Sequence, residues 1–229
     1  MKKLLSLSLL LPLLLTACFS LPESPEPELL KKQAVFALTP EDGGGSDFAE
    51  TIEVLKARLT SAGITQGYKF EVVDGVIELQ FDNVSHEIGE DLDYLDALIE
   101  KITQVGELTF RDTNNGDTII LRGEHMRGAA ATLDSPPNHY RWAISLMFTE
   151  RGAELFREAT TRLAEETGII SIYIDEEFIT SAYVHEPITG DSVLITRPEG
   201  FDFAEARDLA EMIDSGALPH RLGTRKRRD

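Results

Sequence analysis

The sequence contains a single thiol. Cys18 is the only cysteine among 229 residues, so an intramolecular disulfide is excluded, and what remains is nucleophilic or acylation chemistry at one sulfur. Cys18 follows the apolar run Leu4–Leu15 and the small pair Thr16-Ala17, with two lysines near the start of the chain. A positive start, a short apolar run and small residues are typical of a cleaved export signal. We therefore predict that residues 1–17 are a signal peptide.

The tetrad Leu15-Thr16-Ala17-Cys18 resembles the lipobox of bacterial lipoproteins. That resemblance implies that the Cys18 sulfur is diacylated before cleavage, and that the new amino terminus is usually acylated as well. We therefore expect an extracytoplasmic protein, lipid-anchored at Cys18 to the outer face of the plasma membrane or to the outer membrane. Phe19, rather than Asp, follows the cysteine and leaves the choice of membrane open. The alternative is an ordinary secretory signal with a chance cysteine.

No catalytic or metal-binding pattern stands out elsewhere in the chain. A catalytic metal needs several ligands at close spacing, whereas the five histidines are scattered singly. No Gly-x-Ser-x-Gly elbow occurs, and the adjacent acids lack the calcium-loop pattern and are typical of solvated turns. We therefore predict no enzyme, no metal and no cofactor, with an enzyme as the less favoured alternative. The histidines are His86, His125, His139, His185 and His220, and the acidic runs are Glu90-Asp91, Glu165-Glu166 and Asp175-Glu176-Glu177.

The net charge of the chain argues against one class of binding partner. The chain has 40 acidic and 22 basic residues, a formal net charge of −18, whereas nucleic-acid binding needs clustered Lys and Arg. Nucleic acid is therefore not an expected partner. Residues 220–229 contain the one basic cluster, which predicts a solvated, mobile tail with a weak attraction to anionic lipid. Residues 18–32 are proline-rich and acidic and are typical of an extended stalk.

Residues 33–116 alternate strand and helix signals. A strand is predicted over Gln33–Leu38, and Asp74-Gly75 predicts a tight hairpin between strands at 68–73 and 76–81. A second helix leads into a strand at Glu107–Arg111, which completes a βαββαβ unit with a four-stranded antiparallel sheet. The first helix is indicated by an apolar stripe of Phe48, Ile52, Leu55, Leu59 and Ala62, and the second by Leu92, Leu95, Ile99 and Ile102.

Residues 117–219 predict a second sheet-rich lobe, packed on the first or inserted into it. The fold class is therefore α+β: a ferredoxin-like base lobe plus a head lobe with an antiparallel sheet. Thr149 is a typical N-cap for the longest helix. The predicted strands of the head lobe are 118–121, 141–148, 169–174, 178–184 and 192–196. One predicted helix begins after Thr149 and ends at Gly168, and a last helix ends at Gly216.

Several segments resemble the first extracytoplasmic domain of SecD, a component of the SecDF complex of bacterial protein export. The most specific is the ending, in which Phe203–Pro219 carries the pattern Ser-Gly-Ala-Leu-Pro. The others are Leu55–Gly63, Ile102–Arg111 and Ile144–Thr160. The first strand lacks the family pattern Asp-Leu-x-Gly-Gly.

The resemblance implies a role in protein export, in which the head holds emerging polypeptide outside the membrane. Since no later segment is apolar enough to span a bilayer, we expect no proton-conducting part. Expected partners are the membrane, the Sec translocon and unfolded exported polypeptide, which would bind a sheet edge near Tyr183 and Val184 on strands 178–184 and 192–196. The alternative is an envelope scaffold lipoprotein that uses the same fold to bind one fixed protein partner.

Overall fold

A computed structural model of the chain describes residues 34–41, 48–82, 92–134 and 141–227. The predicted signal peptide, lipobox, Cys18 and stalk lie outside the described residues. Within those ranges, no helix is both long enough and apolar enough to cross a membrane.

Eleven strands and four α-helices make up the described chain. In order they are β1 (Ala34–Pro40), α1 (Phe48–Ser61), β2 (Tyr68–Val73), β3 (Val76–Phe81), α2 (Leu92–Ile102), β4 (Leu108–Asp112), β5 (Thr118–Arg122), β6 (Met126–Asp134), β7 (Arg141–Phe148), α3 (Glu150–Glu166), β8 (Ile169–Ile174), β9 (Glu177–Tyr183), β10 (Ser192–Ile195), α4 (Phe203–Asp214) and β11 (Leu222–Arg227).

The base lobe consists of β1, α1, β2, β3, α2 and β11. Its four strands form an antiparallel sheet in the order β11-β1-β3-β2, which is the ferredoxin-like order. The predicted hairpin is present, because Asp74 and Gly75 have φ angles of 51° and 78°, as a two-residue turn between twisted strands requires. Helices α1 and α2 cover one face of the sheet, and their apolar stripes share a buried core with β1 and β3.

The fourth strand of the base sheet is not the one that the sequence predicts. The strand expected at 107–111 is β4, which pairs with β5 and β8 in another sheet, because Leu108 and Phe110 are buried in the other core. Its place is taken by β11, which pairs antiparallel with β1. The prediction of a mobile tail is therefore wrong for Leu222–Arg227: Leu222 is buried, and Lys226 bonds Asp96 of α2 at 2.8 Å.

The head lobe consists of β4 to β10 with α3 and α4. It contains a four-stranded sheet ordered β5-β4-β8-β9 and a three-stranded sheet ordered β10-β7-β6, all antiparallel. One core joins both sheets and both helices, with Phe110, Phe148 and Phe156 at ring distances of 4.9 to 6.4 Å. The α+β class with antiparallel sheets is thus confirmed. The head lobe is inserted between α2 and β11 of the base lobe.

Strand β6 is absent from the sequence prediction. Its centre is Gly128-Ala129-Ala130-Ala131, and small residues have low strand propensity. They form a strand here because α4 packs closely along them: the N–H of Ala129 donates to Asp214 at 3.1 Å, and Ala206 and Ala210 of α4 are buried. Larger side chains would hold the helix away from the sheet.

Candidate functional site

Strand β9 forms an edge of the four-stranded head sheet. Among the described residues, no backbone hydrogen bond joins its outer side to another segment. The Thr180 hydroxyl of β9 donates to the carbonyl of Thr196 at 3.0 Å. Edge strands with unpaired N–H and C=O groups can accept a further strand, so β9 is a candidate docking edge.

A bulge interrupts the pairing of β9 with β8. The register shifts after Ile172, which leaves Ile179 without a partner opposite it. Bulges twist edge strands and re-aim side chains. Here the bulge turns Ile179 toward the core of the head lobe, where it packs partly buried, while Phe178 stays opposite Tyr173.

The face of this sheet that points away from the core carries aromatic residues. We call Arg111, Tyr173, Phe178 and Tyr183 the aromatic face, since strand alternation and pairing place them on one side. Phe178 is 54% exposed and Tyr183 is 63% exposed. The rings of Tyr173 and Phe178 meet edge to face at 5.6 Å.

Arg111 fixes the middle of the aromatic face. Its guanidinium lies 4.4 Å from the centre of the Tyr173 ring and donates two hydrogen bonds to the carboxylate of Glu176, at 3.0 and 2.7 Å. This hydrogen bonding raises the pKa of Arg111 and lowers the pKa of the exposed Glu176 carboxyl. The cation therefore holds the Tyr173 ring in place.

The two residues that the sequence singles out have different surroundings. Tyr183 is on the surface, with its ring stacked on that of His185 at 6.2 Å. Val184 is 5% exposed and belongs to the head core, and its N–H donates to the carbonyl of Gly168 at 2.9 Å. The expectation that Val184 contacts a partner is therefore wrong for this conformation, because the chain turns inward at the end of β9.

Arg111, Tyr173 and Phe178 are not among the site residues that the sequence predicts. The strands that carry them were predicted, but which face of β8 would be covered was not. One signal was present: Ile170, Ile172 and Ile174 alternate with Ser171 and Tyr173 along β8, which marks the odd-numbered positions as the outer face.

Arg58 of α1 joins the head lobe to the base lobe. Its buried guanidinium donates to the carbonyls of Ile102 at 2.8 Å, Val105 at 3.0 Å and Gly216 at 2.8 Å. It also bonds the carbonyl of Gln104 and the hydroxyl of Ser215. These carbonyls belong to the ends of α2 and α4 and to the crossover into the head, so one side chain ties three segments together.

Burial lowers the pKa of Arg58 to about 10, although the nearby negative charge of Asp175 raises it. The guanidinium therefore stays charged at neutral pH. Asp175, in the turn between β8 and β9, accepts from the N–H groups of Gly106 and Glu107, both at 2.7 Å. The turn that leads into β9 is thus fixed to the same junction as Arg58.

No group of three or more His, Cys, Asp or Glu side chains in the described ranges could hold a metal ion. His125 accepts a hydrogen bond from the N–H of Arg122 through Nδ1 at 3.3 Å, which stabilises a turn. His86 and His139 lie outside the described residues.

The described residues form an α+β domain with an exposed sheet edge beside the aromatic face. Residues 107–220 match the family model described as the SecDF P1 head subdomain. The protein translocase subunit SecD of Acidaminococcus fermentans is 30% identical over 186 residues, covering 80% of this chain and 40% of that protein. SecD of Streptomyces coelicolor is 33% identical over 81 residues, 34% of this chain and 14% of that protein.

Two solved SecDF structures share the fold. A crystal structure of SecDF in its super-membrane-facing form superposes with a TM-score of 0.69 at 22% identity, covering 86% of this chain and 30% of that chain. A second, from work on SecDF as a membrane component that enhances protein export, gives a TM-score of 0.69 at 21% identity, covering 86% of this chain and 100% of that chain. The chain carries a SecD-like extracytoplasmic domain, whose residues 107–220 match the SecDF P1 head subdomain.

Three segments of the SecD resemblance meet at the Arg58 junction. Arg58 lies in Leu55–Gly63, its acceptors Ile102 and Val105 lie in Ile102–Arg111, and Gly216 lies in Phe203–Pro219. Three of the four segments that resemble SecD therefore contribute to the contact between head and base.

Proposed function

We propose that this chain assists protein export outside the cytoplasm by binding unfolded polypeptide at β9 and the aromatic face. The observation that carries the proposal is the free edge of β9 beside two exposed aromatic side chains, Phe178 and Tyr183. The match of residues 107–220 to the SecDF P1 head subdomain supports a role in protein export.

Binding at a sheet edge suits a client of no fixed sequence. A strand added to β9 would use main-chain hydrogen bonds, which every polypeptide can make. Its alternate side chains would lie over Phe178 and Tyr183, where an aromatic surface accepts many apolar groups. Such binding is broad in specificity and weak, which allows the client to be released.

The contribution of the two exposed rings to the affinity for a client can be estimated. Complete burial of a large apolar side chain gives about 1.5 to 3 kcal/mol, and Phe178 and Tyr183 are each roughly half exposed. Covering the two rings therefore contributes about 2 kcal/mol, or roughly a thirtyfold change in the dissociation constant.

We propose further that lipid on Cys18 holds the domain at the membrane, with residues 18–32 as spacer, and that its partner there is the Sec translocon. The relatives are named as translocase subunits, which supports that choice of partner. In this proposal the chain only holds the unfolded client, and any proton-driven step is carried out by the membrane part of another protein.

The test measures binding of a reduced and alkylated, permanently unfolded protein to the full chain in detergent. Phe178→Ser with Tyr183→Ser is expected to weaken binding about tenfold or more. The matched control is Tyr94→Ser with Val72→Ser, which removes similarly exposed apolar groups from the base lobe and should change binding less than about twofold.

A second measurement tests the edge itself. An extended client peptide carrying N-methyl groups at alternate residues loses its donors on one side, so it should bind at least about tenfold more weakly than the parent peptide. Equal binding of both peptides, or equal loss in both double variants, would contradict the proposal. Capture of one stoichiometric partner in place of unfolded clients would favour the scaffold alternative.

A further inference from the structure

A cleft of about 450 Å³ separates the base lobe from the head lobe on the inner side of β9. It lies between the end of α2 and the start of β11 on one side and β9 and α4 on the other. This volume falls in the range of about 300 to 1,000 Å³ that is usual for ligand sites.

Part of the cleft wall on the head side is apolar and adaptable. It is lined by Ile179 of the β9 bulge and by Leu209 and Met212 of α4, all partly buried. Methionine adjusts to differently shaped apolar groups, and a bulged isoleucine without a cross-strand neighbour leaves room beside it. This wall therefore suits apolar side chains of varied shape.

The rim of the cleft carries unpaired negative charge. Glu41, Glu100 and Glu177 are exposed, and none forms an ion pair within the described ranges. Asp175, also in the lining, is already held by the N–H groups of Gly106 and Glu107. Among the described residues that line the cleft, Arg221 is the one cation, so their charge has an excess of negative groups that favours a cationic occupant.

The cleft and the aromatic face adjoin the same edge strand. Phe178 lies on the outer face, while its neighbours Glu177 and Ile179 line the cleft. Successive side chains of an extended chain point to opposite sides. A polypeptide added along β9 would therefore direct alternate side chains to the aromatic face and to the cleft.

We infer that the cleft selects extended polypeptide segments that carry apolar residues together with lysine or arginine. This inference rests on the proposed function and specifies its substrate class. The apolar side chains contact Ile179, Leu209 and Met212, and the basic side chains reach the carboxylates of Glu41, Glu100 and Glu177.

The test uses three fluorescein-labelled peptides of equal length and leucine content, in which the remaining positions carry lysine, serine or glutamate. Binding to the full chain in detergent is followed by fluorescence anisotropy. The lysine peptide should bind about fivefold tighter than the serine peptide, since two or three partly exposed charge pairs give a total of about 1 kcal/mol. The glutamate peptide should bind most weakly.

Glu100→Gln with Glu177→Gln should remove most of the lysine preference. The matched control, Glu158→Gln with Glu165→Gln, makes the same change of net charge on the exposed surface of α3 and should leave the preference intact. Equal loss in both double variants would assign the preference to the overall charge of −18 and overturn the inference. A lysine preference that survives Glu100→Gln with Glu177→Gln would also overturn it.

The serine peptide separates this inference from the proposed function. If it binds the parent chain and is weakened by Phe178→Ser with Tyr183→Ser, while lysine brings no gain, the cleft inference alone fails. If no peptide binds the parent chain, the proposed function fails as well.

Discussion

At the scale of single residues, the junction depends on close approach between Arg58 and glycine backbone. Gly106 has φ of 76°, and a Cβ there would lie 2.7 Å from the Arg58 guanidinium and 2.8 Å from Met212. Only glycine adopts this backbone without strain and leaves that space. The hydrogen bonds from Arg58 to the carbonyls around it therefore require Gly106 as well as the arginine.

We predict that Gly106→Ala destabilises the protein by about 3 kcal/mol, because left-handed strain of about 1 kcal/mol adds to displacement of Arg58 from its acceptors. The measurement is urea unfolding. Gly63→Ala is the control, since Gly63 has φ of 83° with nothing within 4 Å of the added carbon, and it should cost about 1 kcal/mol. Equal costs would mean that Arg58 and Met212 adjust without loss.

At the scale of elements, β11 closes the base sheet. It pairs with β1 from Val35–Arg227 to Pro40–Leu222, and Lys226 lies 5.4 Å from the ring centre of Phe36. A basic segment thus becomes a strand because alternate residues, Leu222 and Lys226, pack on the helix-covered face while Arg225 points to solvent. Its long basic side chains also discourage pairing of this edge with other chains.

We predict that Leu222→Ala lowers the free energy of unfolding by about 2 to 3 kcal/mol, as expected for truncating a buried leucine. The neighbouring control Thr224→Ala alters an exposed side chain and should stay within about 0.5 kcal/mol. Both are measured by urea unfolding. A mobile tail would make the two variants indistinguishable from the parent.

Local signals and long-range pairing were not equally predictable from the sequence. The hairpin at Asp74-Gly75 and the start of α3 at Thr149, whose hydroxyl accepts from Gly152 N–H at 3.1 Å, follow from residues next to each other. Whether β4 joins the base or the head depends on the core in which Leu108 and Phe110 are buried. No local sequence pattern determines which core that is. For the same reason Tyr183 was found as a candidate but the rest of the aromatic face was not.

At the scale of the whole molecule, the proposed lipid anchor decides where this acidic domain works. The described residues show an edge, an aromatic face and a cleft, and the proposed function uses all three as binding surfaces. Two or more acyl chains hold a protein firmly at a bilayer, whereas one holds it only reversibly. The domain would therefore meet clients only as they leave the membrane.

We predict that a palmitate analogue supplied to cells labels the parent chain and does not label Cys18→Ser, because the analogue is incorporated through that sulfur and the new amino terminus. Ser20→Ala, two residues along, is the control and should be labelled like the parent. Absence of label from all three proteins would contradict the lipobox interpretation.

Insertion of the head between α2 and β11 has a consequence for biosynthesis. Residues 222–227 follow the whole head in the chain, so a folded head can coexist with a base that still shows β1 as an open edge. Pairing of β11 with β1 seals that edge, and it requires the two ends of the inserted head to be brought together. A chain trapped before this pairing would therefore carry a finished head on an unfinished, adhesive base.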